Sequence, residues 1–349
     1  MFLQGPTSPP RRNFASEVSC KVAMGGAACY VPARSFPACG DIDGREKGGS
    51  PDMKILQCVP NFSEGRDPNF LKELEAALKQ FQVKILDLSM DPDHNRTVAT
   101  FLGPPDAVEA AAMAVTSRAV ELIDMRHHTG RHPRIGAVDV VPFVPIRGMT
   151  MGEAVEIARR FGEVFAEKHQ IPVFYYEEAC TAESRRNLAD VRKGEYEGMP
   201  QKLRDPAWTV DAGPQAFNEK SGVTVVGARM PLIAFNVNLH TNDLDLAKKI
   251  ANAVRHSGGG LRYVKAMGVR LDDKGIVQVS MNLVNYQKTP IHRAVELIKA
   301  EAARYGVLVR ECELIGTVPL EALEEVVSYY LQIPDFNAKR IIEYHLLPD

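Results

Sequence analysis

Three histidines, His127, His128 and His132, fall within six residues in the stretch Asp124 to Pro142, DMRHHTGRHPRIGAVDVVP. Gly130 and Pro133 make this a loop, and Arg131 and Arg134 flank the last histidine. Strand-like alternation resumes immediately after, from Ala137 to Val144. A loop histidine at a sheet edge, among cationic side chains, suits proton transfer on an anionic substrate, because imidazole takes and returns a proton near neutral pH. Pro133 restricts His132 toward extended backbone and so fixes where its ring points. A merely polar loop can carry the same residue types. His128 and His132 have the i, i+4 spacing that would aim both at one metal ion on a helix. Gly130 and Pro133 break that helix and no HExxH pattern is present, so no metal is expected.

Carboxylate-bearing substrates are matched by the planar donor fork of arginine. Arg96, Arg134, Arg185, Arg186 and Arg229 are the candidates, and each alone could instead form a surface salt bridge. Arg96 and Arg134 are preferred as substrate-binding residues, because each sits in a dense motif at a strand edge. Asn61 and Glu64 lie in the loop directly after the first strand, as ligand-facing residues should.

The elements that must position these residues read as two modules. In the first, a strand covers Ile55 to Val59, and Asp67-Pro68 opens an amphipathic helix over Asn69 to Phe81. Val83 to Leu88 and Thr97 to Leu102 read as strands, and an Ala-rich helix runs to Ile123. After the histidine loop come the strand Ala137 to Val144, a helix Met151 to Lys168 and a strand Val173 to Tyr176. In the second, Leu232 to Leu239 is a strand and Leu244 to Arg255 a helix. Val264 to Leu271 and Val277 to Leu283 form a hairpin across Asp272-Asp273-Lys274-Gly275, with Gly where positive φ is needed. Ile291 to Tyr305 is a helix, Val307 to Cys312 a strand, and Leu320 to Tyr330 a last helix. Both halves read β-α-β-β-α-β. The fold class is α/β (α+β), with two ferredoxin-like subdomains whose sheets carry helices on the outer face and a ligand cleft between them. The domains are expected at 53–228 and 229–349. Between the modules, Cys180 to Arg229 is polar and Gly/Pro-rich and reads as a long functional linker.

Composition sets the limits. The 349 residues are 45% hydrophobic and 25% charged, as in a soluble globular protein. A net charge of −2 argues against nucleic acid or an anionic membrane as the main partner, and no apolar run reaches transmembrane length. Six cysteines without a CxxC pair form no disulfide framework and fit a reducing cytoplasm. Residues 1–52 are rich in Pro, Gly, Ala, Ser and Arg, without periodicity, and are expected to be a disordered extension. Lys47-Gly48-Gly49 can be encoded by a purine-rich ribosome-binding sequence three codons before Met53, which predicts translation from Met53. A peptide from 1–52 in the mass spectrum of the native protein would contradict that.

Six ordered motifs carry a family resemblance. CVPNFSEG (Cys58 to Gly65), NRTVATFLGPP (Asn95 to Pro105), HTGRHPRIGAVDVVPFVPIRG (His128 to Gly148), ESRRNLADVRKGEYEGMPQKL (Glu183 to Leu203), DAGPQAFNEKSGVTVVGARMPLIAFNVNL (Asp211 to Leu239) and GTVPLEAL (Gly316 to Leu323) resemble the glutamate formiminotransferases. The resemblance implies transfer of a formimino group from N-formimino-L-glutamate to tetrahydrofolate, in histidine catabolism. It implies that the catalytic histidine of the His-Pro-Arg motif is His132. The implied folate-binding segment is Gly213, Pro214, Gln215, Ala216, Phe217, Asn218, Glu219, Lys220, Ser221 and Gly222, in which Phe217 offers a flat surface for a pterin or benzoyl ring. Asp87, Asp91 and Asp139 could orient His132 or bind the pterin, and Asp139, inside a strand pattern, could equally be a buried hydrogen-bond partner. A homodimer is implied, with the cyclodeaminase step supplied by a separate protein. Two rival readings remain: formyl transfer between 5-formyltetrahydrofolate and glutamate, which the same histidine and cleft would serve, and a non-catalytic folate-binding partner of a cyclodeaminase.

Overall fold

The computed structural model describes residues 54–130 and 132–346, without the side chain of Asp273. Arg131, the extension 1–52 and the proposed start at Met53 lie outside the described residues. The first module begins with β1 (Ile55–Cys58) and β2 (Asn61–Phe62), one strand interrupted at Pro60, which has no N–H for the ladder. It continues through α1 (Pro68–Leu78), β3 (Lys84–Asp91), β4 (Arg96–Gly103), α2 (Pro105–Leu122), β5 (Val138–Arg147), α3 (Met151–His169) and β6 (Val173–Glu177). Strands β3, β4, β1/β2 and β5 lie side by side and pair antiparallel. The chain order and strand order are those of a split β-α-β, as expected. Helices α1, α2 and α3 cover one face, over a core that includes Phe62, Phe70, Phe101, Phe143, Phe161 and Phe165. Their starts are coded locally: Asp67 accepts from the Asn69 N–H at α1, and Thr150 and Glu153 close a capping box at α3.

The segment expected to be a linker is instead built into this module. It forms α4 (Leu188–Arg192), α5 (Glu195–Lys202) and β7 (Thr224–Ala228). All five residues of β7 are buried, and the strand runs parallel to both β5 and β6. A parallel strand buried on both faces shows no polar alternation, so a reading by period 2 passes over it. At this end the sheet is covered twice. The helices α4 and α5 set Val191, Met199 and Leu203 against Val140, Phe174, Tyr176 and Val225, on the face opposite α3.

The second module contains β8 (Ile233–Leu239), α6 (Leu244–Val254), β9 (Val264–Leu271), β10 (Ile276–Leu283), α7 (Ile291–Ala303), β11 (Val309–Ile315) and α8 (Leu320–Leu331). Its sheet order is β11-β8-β10-β9, antiparallel throughout, the same topology as the first four strands of the chain. Gly275, at φ 62°, closes the β9–β10 hairpin as its sequence predicts. The module has its own core, centred on Val237, Ile250, Val279, Leu283 and Ile298.

Candidate active site

The site is built on the face of the first sheet that α1–α3 leave open. Along β4, Thr97, Ala99 and Phe101 are fully buried while Arg96, Val98 and Thr100 alternate with them on the other face. Asn61 on β2 pairs with Val98 and Val140. The next residue, Phe62, pairs with Val138, so Asp139 has no partner on β2 and is the extra residue of a β-bulge. Such a bulge re-aims a side chain. Here it lets Asp139 meet Arg192 of α4 and His132 of the loop before β5.

The His132 ring stands between a guanidinium and a carboxylate. Its Nδ1 lies 3.4 Å from Arg96 Nη1. Its Nε2 lies 3.8 Å from Asp139 Oδ2, within ion-pair range but longer than a hydrogen bond. Asp139 is 1% exposed. Its Oδ1 accepts from the Ile135 N–H at 3.0 Å and its Oδ2 from Arg192 Nη2. Burial alone would raise the Asp139 carboxyl, but Arg192 and His132 hold it below the usual carboxylate range. Burial pushes the His132 imidazole below its ordinary value; Asp139 opposes that shift, and Arg96 and Arg192 add to it. A neutral imidazole at neutral pH follows, with Nδ1 accepting from Arg96, since arginine only donates. Among the described residues, three buried nitrogens at this point have no hydrogen-bond partner: Arg96 Nε, Arg192 Nε and His132 Nε2. Arg192 and the His132 imidazole thus meet the buried Asp139 while Arg96 stands at the other ring nitrogen, a surplus of positive charge suited to an anionic substrate.

A second cluster fixes the loop. Arg134, 6% exposed, donates to Glu195 Oε2 at 2.7 Å, to Glu197 at 2.9 and 2.5 Å, and through Nε to His128 Nδ1 at 3.2 Å. His128 Nε2 then donates to the Asn95 carbonyl at 3.2 Å. Asn95, at φ 50°, accepts from the Gly65 N–H and donates to the Thr129 carbonyl. The histidine loop is thereby tied to the β3–β4 turn on one side and to α5 on the other. His127 is exposed, and His94 pairs with Asp91 at 2.6 Å.

The segment Gly213 to Gly222 comes alongside the same loop. Ala137 N–H donates to the Ser221 carbonyl and Val223 N–H to the Ile135 carbonyl. Gly222 is at φ 71°, and a Cβ there would stand 2.2 Å from the Ile135 oxygen. Gly222→Ala should therefore destabilise the fold by about 2–3 kcal/mol through backbone strain, read as a lower urea midpoint; an unchanged midpoint would show that the crossing relaxes freely. Gly213, at φ 84°, abuts Ile171 and Ala166, beside Pro214. Side chains along the segment mostly hold its own path. Gln215 bonds the Val210 N–H and the Leu203 carbonyl, Asn218 the Ser221 N–H and the Gln170 carbonyl, and Lys220 the Glu121 carbonyl. Phe217 packs on Tyr196, ring centroids 5.2 Å apart, and the Tyr196 hydroxyl donates to the Glu219 carbonyl. Ala216 and Glu219 are exposed and Ser221 is buried.

The structure thus brings His132, Arg96 and Asp139 together. Asn61 shares their sheet face, with its Nδ2 bonded to the Val59 carbonyl at 3.0 Å. Glu64 caps the turn before α1 through the Arg66 and Asp67 N–H groups. Arg185 pairs with Asp211, Arg186 with Glu178 and Glu183, and Arg229 bonds the Met230 carbonyl. Sequence reading missed Arg192, Glu195 and Glu197. Arg192 lies 53 residues from Asp139, and its one signal was the density of the motif ESRRNLADVRKGEYEGMPQKL. Among the described residues no group of three His, Cys, Asp or Glu converges as a metal site, and no helix is long and apolar enough to cross a membrane.

Comparison with known proteins is consistent along the chain. The family model described as formiminotransferase domain, N-terminal subdomain, matches residues 55–229, and that described as formiminotransferase domain matches 234–345. A glutamate formimidoyltransferase of Streptococcus pyogenes serotype M1 is 49% identical over 296 residues, covering 84% of this chain and 99% of that protein. One from Thermoplasma acidophilum is 46% identical over 294 residues, covering 83% and 97%. The formimidoyltransferase-cyclodeaminase of Rattus norvegicus is 40% identical over 284 residues, 79% of this chain and 52% of that protein. The chain belongs to the formiminotransferase family.

Proposed function

We propose that this protein is a transferase that moves the formimino group from N-formimino-L-glutamate to tetrahydrofolate, giving 5-formiminotetrahydrofolate and L-glutamate. The observation that carries the reading is the 49% and 46% identity to glutamate formimidoyltransferases over nearly their whole length. In the reaction folate N5 forms a bond to the formimino carbon and loses a proton. The tetrahedral intermediate then breaks its bond to the glutamate nitrogen, which keeps the electron pair and must gain a proton. Amines leave poorly as anions, so one group poised near neutrality can assist both steps.

In this reading His132 takes the N5 proton and returns it to the departing nitrogen. Arg96 and Asn61 hold the donor from the open sheet face. Arg134 acts at one remove, because its guanidinium already holds Glu195 and Glu197. Gly213 to Gly222 lies against the folate, with Phe217 as its flat contact. The subdomains divide at 228/229, the assembly is a homodimer, the compartment is the cytoplasm, and the product passes to a cyclodeaminase.

The test is the purified protein with tetrahydrofolate and formiminoglutamate, followed by formation of 5-formiminotetrahydrofolate, beside a parallel run with 5-formyltetrahydrofolate and glutamate. Turnover of the formimino pair is expected. Turnover of the formyl pair alone would move the assignment to formyl transfer, and no turnover of either would favour a binding subunit.

A further inference from the structure

We propose that Arg96 couples donor recognition to proton transfer: in the resting site its guanidinium caps Nδ1 of His132, and a carboxylate of the donor draws it away and frees that nitrogen. The inference rests on the formimino-transfer reading for the identity of the donor.

Four observations carry it. The contact from Arg96 Nη1 to His132 Nδ1 is long, at 3.4 Å, and so holds the ring weakly. It nevertheless occupies Nδ1, while Nε2 faces the buried Asp139. Nδ1 is therefore the nitrogen left for substrate, and nothing can use it until Arg96 moves. Second, Arg96 Nε is buried without a partner among the described residues, a desolvated donor that an incoming acceptor would satisfy. Third, the carboxylates near Arg96 are engaged elsewhere. Asp91, opposite it in the β3–β4 register, is bonded to His94, and Asp139 to Arg192 and the Ile135 N–H. Fourth, among the described residues the charged groups that face His132 are Arg96 from β4, Asp139 from β5 and Arg192 from α4. Among the described residues Arg96 alone sits at Nδ1, so neutralising its charge changes the field at the reacting nitrogen.

The consequence is a conditional base. With the site empty, the guanidinium beside His132 lowers its proton affinity. A carboxylate paired with Arg96 removes that repulsion and raises it. His132 then becomes the stronger base when an anionic donor is present, which favours donors with a correctly placed carboxylate over neutral amidines.

Glutarate, a dianion with no transferable group, is the probe. The His132 ring resonance is assigned with His132→Gln and titrated by NMR in the full chain. Saturating glutarate should raise its midpoint by about one pH unit. In Arg96→Gln the midpoint should already be raised without ligand, and glutarate should not move it. Arg96→Lys keeps the cation without the fork. Its free midpoint should stay near that of the parent and its response to glutarate should shrink. A parent midpoint that glutarate leaves unmoved, an absence of any glutarate effect on the site resonances, or a full response in Arg96→Gln would each overturn the proposal. The titration needs no turnover. A moved midpoint without formimino transfer would sink the reaction and keep the coupling, and transfer with an unmoved midpoint would do the reverse.

Discussion

Replacing His132 with alanine should lower kcat for formimino transfer by about 10²–10⁴-fold, the usual contribution of a positioned general acid–base group. Folate binding should persist, because the segment proposed to hold folate, Gly213 to Gly222, is held by the Gln215 and Asn218 side chains and by Tyr196, not by the imidazole. The fold should persist as well. The ring's contacts with Arg96 and Asp139 are both long, 3.4 and 3.8 Å, and their loss leaves the Asp139–Arg192 pair intact. Rapid-quench turnover with tetrahydrofolate and formiminoglutamate, beside a folate-binding titration, separates the two effects. A fall of less than about tenfold in kcat would remove His132 from the chemistry, since one unit of a factor of ten is only about 1.4 kcal/mol of barrier.

The largest expected effect on stability lies at Asp139. Replacing it with asparagine removes the charge that faces Arg192 and leaves that guanidinium in the protein interior without its counter-ion. Breaking a buried pair in this way costs about 3–5 kcal/mol. The lower end applies here, because the Arg192 side chain keeps 15% of its exposure. The bulge itself should survive, since asparagine can still accept from the Ile135 N–H. Urea unfolding of the variant should show the loss near pH 7. The difference from the parent should shrink in acid. The folded Asp139 carboxyl titrates below the unfolded one. Its contribution is therefore present above the unfolded value, about 3.9, and is lost as pH falls through the folded value. An unchanged midpoint at pH 7 would mean that Arg192 finds water instead.

The two cases also show what the amino-acid order could and could not convey. Period-2 and period-3.6 patterns made the two β-α-β-β-α-β modules legible, because strands such as β4 set one face against helices and leave the other more open. The same rule concealed β7, whose residues are buried on both faces. Asp139 looked like a residue inside a regular strand; only the bulge opposite Asn61 and Phe62 turns it to the site, and a bulge leaves no period to read. His132 stood out by its own loop, with Pro133 after it. Arg192 did not, because the contact that matters spans 53 residues and an exposed-looking helical arginine has no local mark. Arg134 illustrates the converse. Its place beside His132 suggested a ligand contact, whereas the structure sets it on Glu195 and Glu197 of a helix absent from the sequence reading.

A half-buried His132, its imidazole depressed first by desolvation, is the proposed proton carrier in formimino transfer. That role is tested most directly by the pH dependence of kcat/KM for formiminoglutamate, measured on the parent and on His132→Gln. The parent should lose activity in acid with a midpoint below histidine's usual value of about 6.5, because burial, Arg96 and Arg192 together lower it. In His132→Gln the residual activity should lack that limb. The same acid limb in both proteins, at the same midpoint, would assign it to another group and contradict the account.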